Sequence, residues 1–226
     1  MGLLVLSGTG WPGGAVLAAF FVSSTLVSRG APRPAVLDPK GDRRDARQVA
    51  ANGGVAALVS LLGWHEQTLG LWLLTGALAA AAADTWATAI GAYSRTPPRL
   101  VIGWDPVPPG TSGGVTVAGT FGAAAGAALV ATTAVLAGAP SALLGVGTLV
   151  GFLGMAADSL LGATVQARWH CVACDRPSEW PVHRCGARTV HRGGWPWLDN
   201  DAVNLLGSLT GAALASTAWV WLCPCA

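Results

Sequence analysis

Long apolar runs, each closed by a short polar stretch, set the rhythm of this sequence. Six segments, residues 11–28, 49–64, 68–91, 113–136, 142–166 and 201–222, carry few charges, and each is predicted to form a helix. A helix needs roughly 20 apolar residues to cross a hydrocarbon core, and most of these segments reach that length. Segment 49–64 is the shortest, and Gly53-Gly54 near its start predicts a tilted, broken or partly inserted helix. The polar connections alternate in character. Residues 65–67 and 137–140 carry no Lys or Arg, whereas loops 29–48, 92–112 and 167–200 carry all 13. So complete a bias predicts those three loops to be cytoplasmic and both termini to face outward. The stretch ahead of residue 11 has no basic start and reads as a short tail rather than a cleaved signal. The expected fold is all-α and polytopic: one membrane domain over residues 1–226, about six transmembrane helices, and a small cytoplasmic zinc-knuckle-like loop.

Composition agrees with a bilayer and excludes an ordinary soluble enzyme. Of 226 residues, 52% are hydrophobic and 11% charged, against about 25% charged in soluble domains. Mean hydropathy is +0.52. The expected setting is the cell membrane, crossed several times, with lipid as a partner and no nucleic acid. Among 11 tryptophans, Trp64, Trp104, Trp195, Trp197 and Trp221 fall near expected interfaces, where aromatic belts anchor membrane proteins.

Charge then directs attention to one end of the molecule. Loop 29–48 gathers Arg29, Arg33, Lys40, Arg43, Arg44 and Arg47, donors suited to phosphate or, more simply, to anionic lipid. Arg43 and Arg47 share a helical face, and Gln48 and Asn52 continue a polar stripe into the next segment. Asp84 and Asp158 sit in similar stretches, "AAADTWATAIGA" and "MAADSLLGATVQA", each about two turns from the cytoplasmic end of its span. A carboxylate within a span costs about 2.5–3.5 kcal/mol on insertion scales. Its reason for being there is either a local Ser, Thr or Arg partner or a ligand. The ligand expected is Mg²⁺, which takes one or two carboxylates plus substrate phosphates. In "LDNDAVN" at 198–204, Asp199 or Asn200 can cap the last helix, while Asp201 and Asn204 lie three apart on one face and are candidates to bind or orient a metal.

Two further motifs lie in the basic loops. "VPPGTSGGVT" at 107–116 supplies Gly110, Thr111, Ser112, Gly113 and Gly114 just before a helix, either an anion site or a plain Gly-rich turn. It is not a Walker motif, since no Gly-Lys-Ser/Thr follows. Loop 167–200 contains Cys171, Cys174, His183 and Cys185, a Cys₃His set suited to structural zinc, with His191 as a substitute ligand. Reduced structural thiols are the alternative, because disulfides are disfavoured on the cytoplasmic side.

These stretches taken together resemble an integral-membrane family labelled domain of unknown function 92, which includes transmembrane protein 19 and plant phytyl-phosphate kinase. The resemblance is carried by "FFVSST" (20–25), "RRDARQVAANGG" (43–54), "ADTWATAIG" (83–91), "PPRLV…VPPGTSGG" (97–114), "DSLLGATVQ" (158–166) and "LDNDAVN" (198–204), in that order. It implies an all-helical enzyme that phosphorylates an isoprenyl monophosphate to its diphosphate, using CTP or another nucleoside triphosphate with Mg²⁺. It further implies Mg²⁺ at Asp84, Asp158 and Asp201 with Asn204 in the same site. Lys40, Arg43, Arg44, Arg47 and Asn52 would contact phosphate, and residues 110–114 would cradle the nucleotide. Two departures stand out. Ala89 occupies the position where the family pattern has Glu, which removes one carboxylate. Set against the family pattern, the chain is also expected to lack about two N-terminal spans, which would either narrow the lipid groove or require a homodimer to complete it. The competing expectations are a polyprenol kinase or lipid cytidylyltransferase, and a non-enzymatic transporter or scaffold. Against transport, no ionisable residue lies at an expected mid-span, where secondary transporters place their sites.

Overall fold

One helix, α3 (Gln67–Gly91), is the axle of the molecule: every residue from 70 to 83 is buried. Its sequence explains why it can sit there. Five consecutive alanines, Ala79 to Ala83, and Gly76 give it a slim cylinder that neighbours approach on all sides. In lipid no hydrophobic force drives helices together, so close backbone packing through small residues does that work. The computed structural model describes residues 1–32, 46–178, 180–183 and 185–223.

Around α3 stand α1 (Gly2–Gly30), α2 (Ala46–Val59), α4 (Val117–Leu136), α5 (Ala142–Thr164) and α6 (Asn200–Leu222). The bundle is antiparallel wherever connections are short. On α4, Gly126 lies against Ala82 and Gly119 against Ala87, so α4 runs opposite to α3. On α5, Gly147 lies against Thr75, Gly151 against Ala79 and Gly154 against Ala80, so α5 runs parallel to α3. On α6, Gly211 lies against Gly76 and Ala80, again antiparallel. These contacts leave no room for a side chain. A Cβ added to Gly154 would stand 2.5 Å from Ala80 Cβ and 2.8 Å from the Gly207 carbonyl.

Among the described residues, five helices are long and apolar enough to cross a membrane: α1, α3, α4, α5 and α6. Segment 49–64 differs from its neighbours as its length foretold. It becomes the 14-residue α2, continued by a 3₁₀ turn, Ser60–Trp64. The expected tail before residue 11 is corrected: it is helical from Gly2. "GTGWPGG" reads as a breaker, and Gly10 does leave the helix (φ 64°, ψ −160°), but the helix resumes directly with Pro12 in its first turn, where a missing N–H is harmless. The leading turns are held by the 3₁₀ segment, with Trp64 Nε1 donating to the Ser7 carbonyl (3.1 Å) and Gln67 Nε2 to the Thr9 carbonyl (3.3 Å).

Short strands occupy two of the basic loops. A two-stranded ladder pairs β1 (Arg99–Leu100) with β2 (Gly114–Val115), and a three-stranded sheet of order β4-β3-β5 is built from β3 (Arg168–Cys171), β4 (Arg176–Ser178) and β5 (Val190–Gly193). Both lie at the end of the bundle where α3 and α5 finish and α4 and α6 begin. All described Lys and Arg residues collect at that end. Trp64, Trp104, Trp195, Trp197 and Trp221 are all more than half exposed, as interface anchors require.

Gly154→Ala is expected to lower unfolding stability by about 1–3 kcal/mol through overpacking against α3 and α6. Gly145→Ala, on the same helix with nothing within 4 Å of the added carbon, should be neutral or stabilising by about 0.5–1 kcal/mol. Thermal unfolding of the two variants in one detergent makes the comparison.

Candidate functional site

The small-residue stripes that close the bundle end, one turn further along, in polar residues. On α3 the series is Gly76, Ala80, Asp84; on α5 it is Gly151, Gly154, Asp158; on α6, read backwards, Gly211, Gly207, Asn204. Spacings of three and four keep each series on one helical face. Packing the glycines together therefore brings the polar ends together as well. A narrow cleft results, lined by Asn52, Asp84, Met155, Asp158, Asn204, Gly207 and Ser208, with Ala80, Ala81 and Gly154 as its floor. Gly207 borders the Asp158 carboxylate closely: an added Cβ would meet Asp158 Cβ at 3.2 Å and Oδ2 at 3.5 Å. Asp84 lies seven residues before the end of α3 and Asp158 six before the end of α5, about 10 Å inside at 1.5 Å per residue.

Asp201 lies near this cleft but does not line it. It is 4% exposed, and Arg47 Nε stands 3.5 Å from its Oδ2. Arg47 Nη2 also donates to Asp199 Oδ2 at 2.7 Å. Meanwhile Asp199 Oδ1 accepts from the Ala202 backbone N–H at 3.0 Å, capping α6. One arginine on the first turn of α2 thus grips the first turn of α6. Since α2 also presents Asn52 to the cleft, that grip fixes the cleft's fourth wall. Lys40, Arg43 and Arg44 lie outside the described residues.

The glycine loop lies outside the cleft and packs against α5. None of Gly110, Thr111, Ser112, Gly113 and Gly114 lines the cleft. Thr111 Oγ1 donates to the Pro108 carbonyl (2.8 Å), and Ser112 Oγ accepts from Gln166 Nε2 (2.9 Å). Gly113 has φ 76° and presses against α5, where a Cβ would stand 2.5 Å from the Ala163 nitrogen. Its glycine is required by this helix contact and by its left-handed backbone. The loop ties the exit of α3 to the exit of α5. Ala89 is likewise outside the cleft, buried at 4% exposure and five residues from Asp84, hence about 140° around α3.

Cys171, Cys174, His183 and Cys185 converge as the spacing suggested, with one donor atom from each lying within 4.8 Å of the others. Cys171 Sγ and Cys185 Sγ are 3.6 Å apart, and His183 Nδ1 lies 3.2 Å from Cys185 Sγ. A tetrahedral ion with bonds of about 2.3 Å to sulfur separates its ligands by about 3.8 Å, so this cluster can hold one metal ion. The four residues also hydrogen-bond among themselves. The Cys185 thiol is drawn down to about 6, chiefly by its hydrogen bond with His183. The Cys174 thiol is pushed up to about 11, first by its hydrogen bond with Cys185. His191 is not part of the set; it stacks edge-on against Trp169 at 4.9 Å.

Sequence patterns missed Ser208, Gly207 and Gly154. Their signal was present as helical spacing, Ser208 being one turn beyond Asn204, but it carried no charge to mark it.

Fold and site together define a polytopic helical membrane protein with a carboxylate- and amide-lined cleft at the basic end of its bundle and a thiol–imidazole cluster at the same end. The chain belongs to the family described as integral membrane protein DUF92, which matches residues 1–212. It is 29% identical to Protein PGR of Arabidopsis thaliana over 92% of this chain and 82% of that protein. An uncharacterized membrane protein of Synechocystis is 31% identical over 95% of this chain and 77% of its own length. Another, from Methanocaldococcus jannaschii, is 30% identical over 74% and 71%. No solved structure matches the chain.

Protein purified without chelator is expected to carry one tightly bound transition-metal ion per chain, measured by elemental analysis. Cys171→Ser and Cys185→Ser should each abolish it, and His191→Ala should leave it unchanged.

Proposed function

We propose that this protein transfers the γ-phosphoryl group of a nucleoside triphosphate, CTP by family resemblance, to an isoprenyl monophosphate, giving the diphosphate. The observation that carries this reading is the convergence of Asp84, Asp158, Asn52 and Asn204 in one cleft at the basic end of a membrane bundle. We place that end in the cytoplasm, following the loop charges, where a soluble donor meets a lipid acceptor.

Phosphoryl transfer asks little covalent chemistry of a protein and much positioning and charge neutralisation. Two carboxylates flanked by two amides and a hydroxyl form an oxygen-rich donor set that fits Mg²⁺. Bound there, Mg²⁺ would supply positive charge to neutralise the phosphates. Asp84 and Asp158 are its anionic ligands in this reading. Asn52 and Asn204 orient phosphates from the cleft walls, and Arg47 with the basic residues of loop 29–48 draws the anionic donor in. Asp201, buried against Arg47, holds α2 to α6 rather than serving as the third metal ligand. The acceptor phosphate is already nucleophilic at neutral pH, so no strong general base is needed. The prenyl chain lies between helices, in contact with lipid. The ion in the Cys₃His cluster is zinc, a structural partner of the loop between α5 and α6.

Because Ala89 faces away from the cleft, the missing Glu leaves the carboxylate pair intact, and turnover is expected without restoring it. Protein in nanodiscs, given phytyl or geranylgeranyl monophosphate, Mg²⁺ and CTP labelled at the α or γ position, should yield γ-label in the prenyl diphosphate. Asp84→Asn and Asp158→Asn should each reduce the rate at least about 100-fold, the scale of losing one group that stabilises transition-state charge. α-label in the lipid would instead establish a cytidylyltransferase. No label with CTP, ATP or GTP would defeat the enzyme reading in favour of a transporter or scaffold.

A further inference from the structure

Ser208 differs from Thr75, Thr85 and Thr210, its neighbours in the bundle. A membrane helix offers every Ser and Thr a ready partner in the carbonyl one turn back. On α3 and on α6 itself, Thr75, Thr85 and Thr210 all take that partner, at 2.7, 2.9 and 2.8 Å. Ser208 does not, although α6 runs unbroken through this turn. The residue is 1% exposed, and its buried Oγ has no hydrogen-bond partner. It lines the cleft beside Asp84, Asp158 and Asn204. Leaving a buried hydroxyl unsatisfied is costly.

We propose that Ser208 Oγ is a neutral ligand of a divalent cation held between Asp84 and Asp158. The class of cation is a hard, oxygen-seeking one, Mg²⁺ or Mn²⁺. Charge supports the assignment. Two carboxylates balance a dication, and a hydroxyl completes the ligand set without adding a net negative charge to a site walled by apolar helices, where unbalanced charge is costly. The further carboxylates at this end of α6, Asp199 and Asp201, share Arg47 as their counter-ion. The purpose of the ion rests on the kinase reading above; its binding does not, so the two can fail separately.

The test is Mn²⁺ titration of the full chain in nanodiscs, without nucleotide, followed by electron paramagnetic resonance. Wild type is expected to bind one Mn²⁺ in the cleft, and Asp84→Asn/Asp158→Asn to bind none there. Ser208→Ala should weaken Mn²⁺ by about 10-fold or more, the scale of losing a supporting group at a metal site. Ser208→Cys should do the same while letting Cd²⁺ displace Mn²⁺ at about 10-fold lower concentration than in wild type, because a thiol favours the softer ion. A purely structural serine would not produce that exchange of preference. Thr210→Val, on the same helix but satisfied by its own backbone, serves as the control and should titrate as wild type. The proposal is overturned if wild type takes up no Mn²⁺, if Ser208→Ala binds it as wild type does, or if the Cd²⁺ competition is unchanged in Ser208→Cys. Mn²⁺ binding as described with no phosphoryl transfer would remove the kinase reading and leave the Ser208 site standing.

Discussion

Backbone contact between α3 and its neighbours, through positions where only glycine or alanine fits, is the constraint on which everything else depends. It acts in place of hydrophobic force, which the bilayer removes. Gly76 against Gly211 and Ala80 against Gly154 fix the axial register of α3, α5 and α6. Register then decides which residues meet one turn lower, and those residues are two aspartates and an asparagine. The site is thus a by-product of packing in a precise sense: the same periodic stripe supplies both the contact and the chemistry.

A second layer of polar contacts secures the end of the bundle that the glycine stripes leave open. Arg47 joins α2 to α6, Asp199 caps α6 while accepting from Arg47, and the Tyr93 hydroxyl donates to the Gly30 carbonyl, linking the ends of α3 and α1. The metal-binding loop adds its own closure at its base, where Ala167 donates to the Leu198 carbonyl (2.9 Å) and Trp195 to the Val165 carbonyl (2.8 Å). Few of that loop's described side chains are buried, and two of them, Cys171 and His183, belong to the cluster that can hold a metal ion. The rest of its buried set is small, Ala167, Ser178 and Leu198, as expected of a short segment that can bury little apolar surface.

The helices were legible because a bilayer demands long apolar runs, and the sequence has little else. α3, α5 and α6 lie within two residues of the expected spans at each end. The carboxylates were legible too, since charge in a span is rare. What escaped was whatever depended on tertiary contact rather than composition. The leading turns of α1 were hidden by Gly10 and Pro12, which look like breakers until the 3₁₀ segment is seen holding them. Strands of two to four residues are too short to show an alternation. Glycine at 110–114 marked a close approach of some kind, and that Gly113 meets the backbone of α5 became visible only in the fold. Ser208 was invisible for the opposite reason: a small polar residue among Leu and Gly resembles every other back-bonded hydroxyl until its partner is found missing.

The Gln166–Ser112 hydrogen bond has a mechanical meaning. Gln166, 3% exposed, follows α5 directly, and Ser112 belongs to the loop that follows α3. The exits of the two aspartate-bearing helices are therefore stitched to each other, and Gly113 is pressed into the last turns of α5 beside the stitch. Two parallel helices joined in this way at one end and in glycine contact along their length behave as a single lever. Asp84 and Asp158 are therefore held to one relative height by contacts on both sides of them, glycine packing toward the bundle interior and the Gln166–Ser112 stitch toward its end.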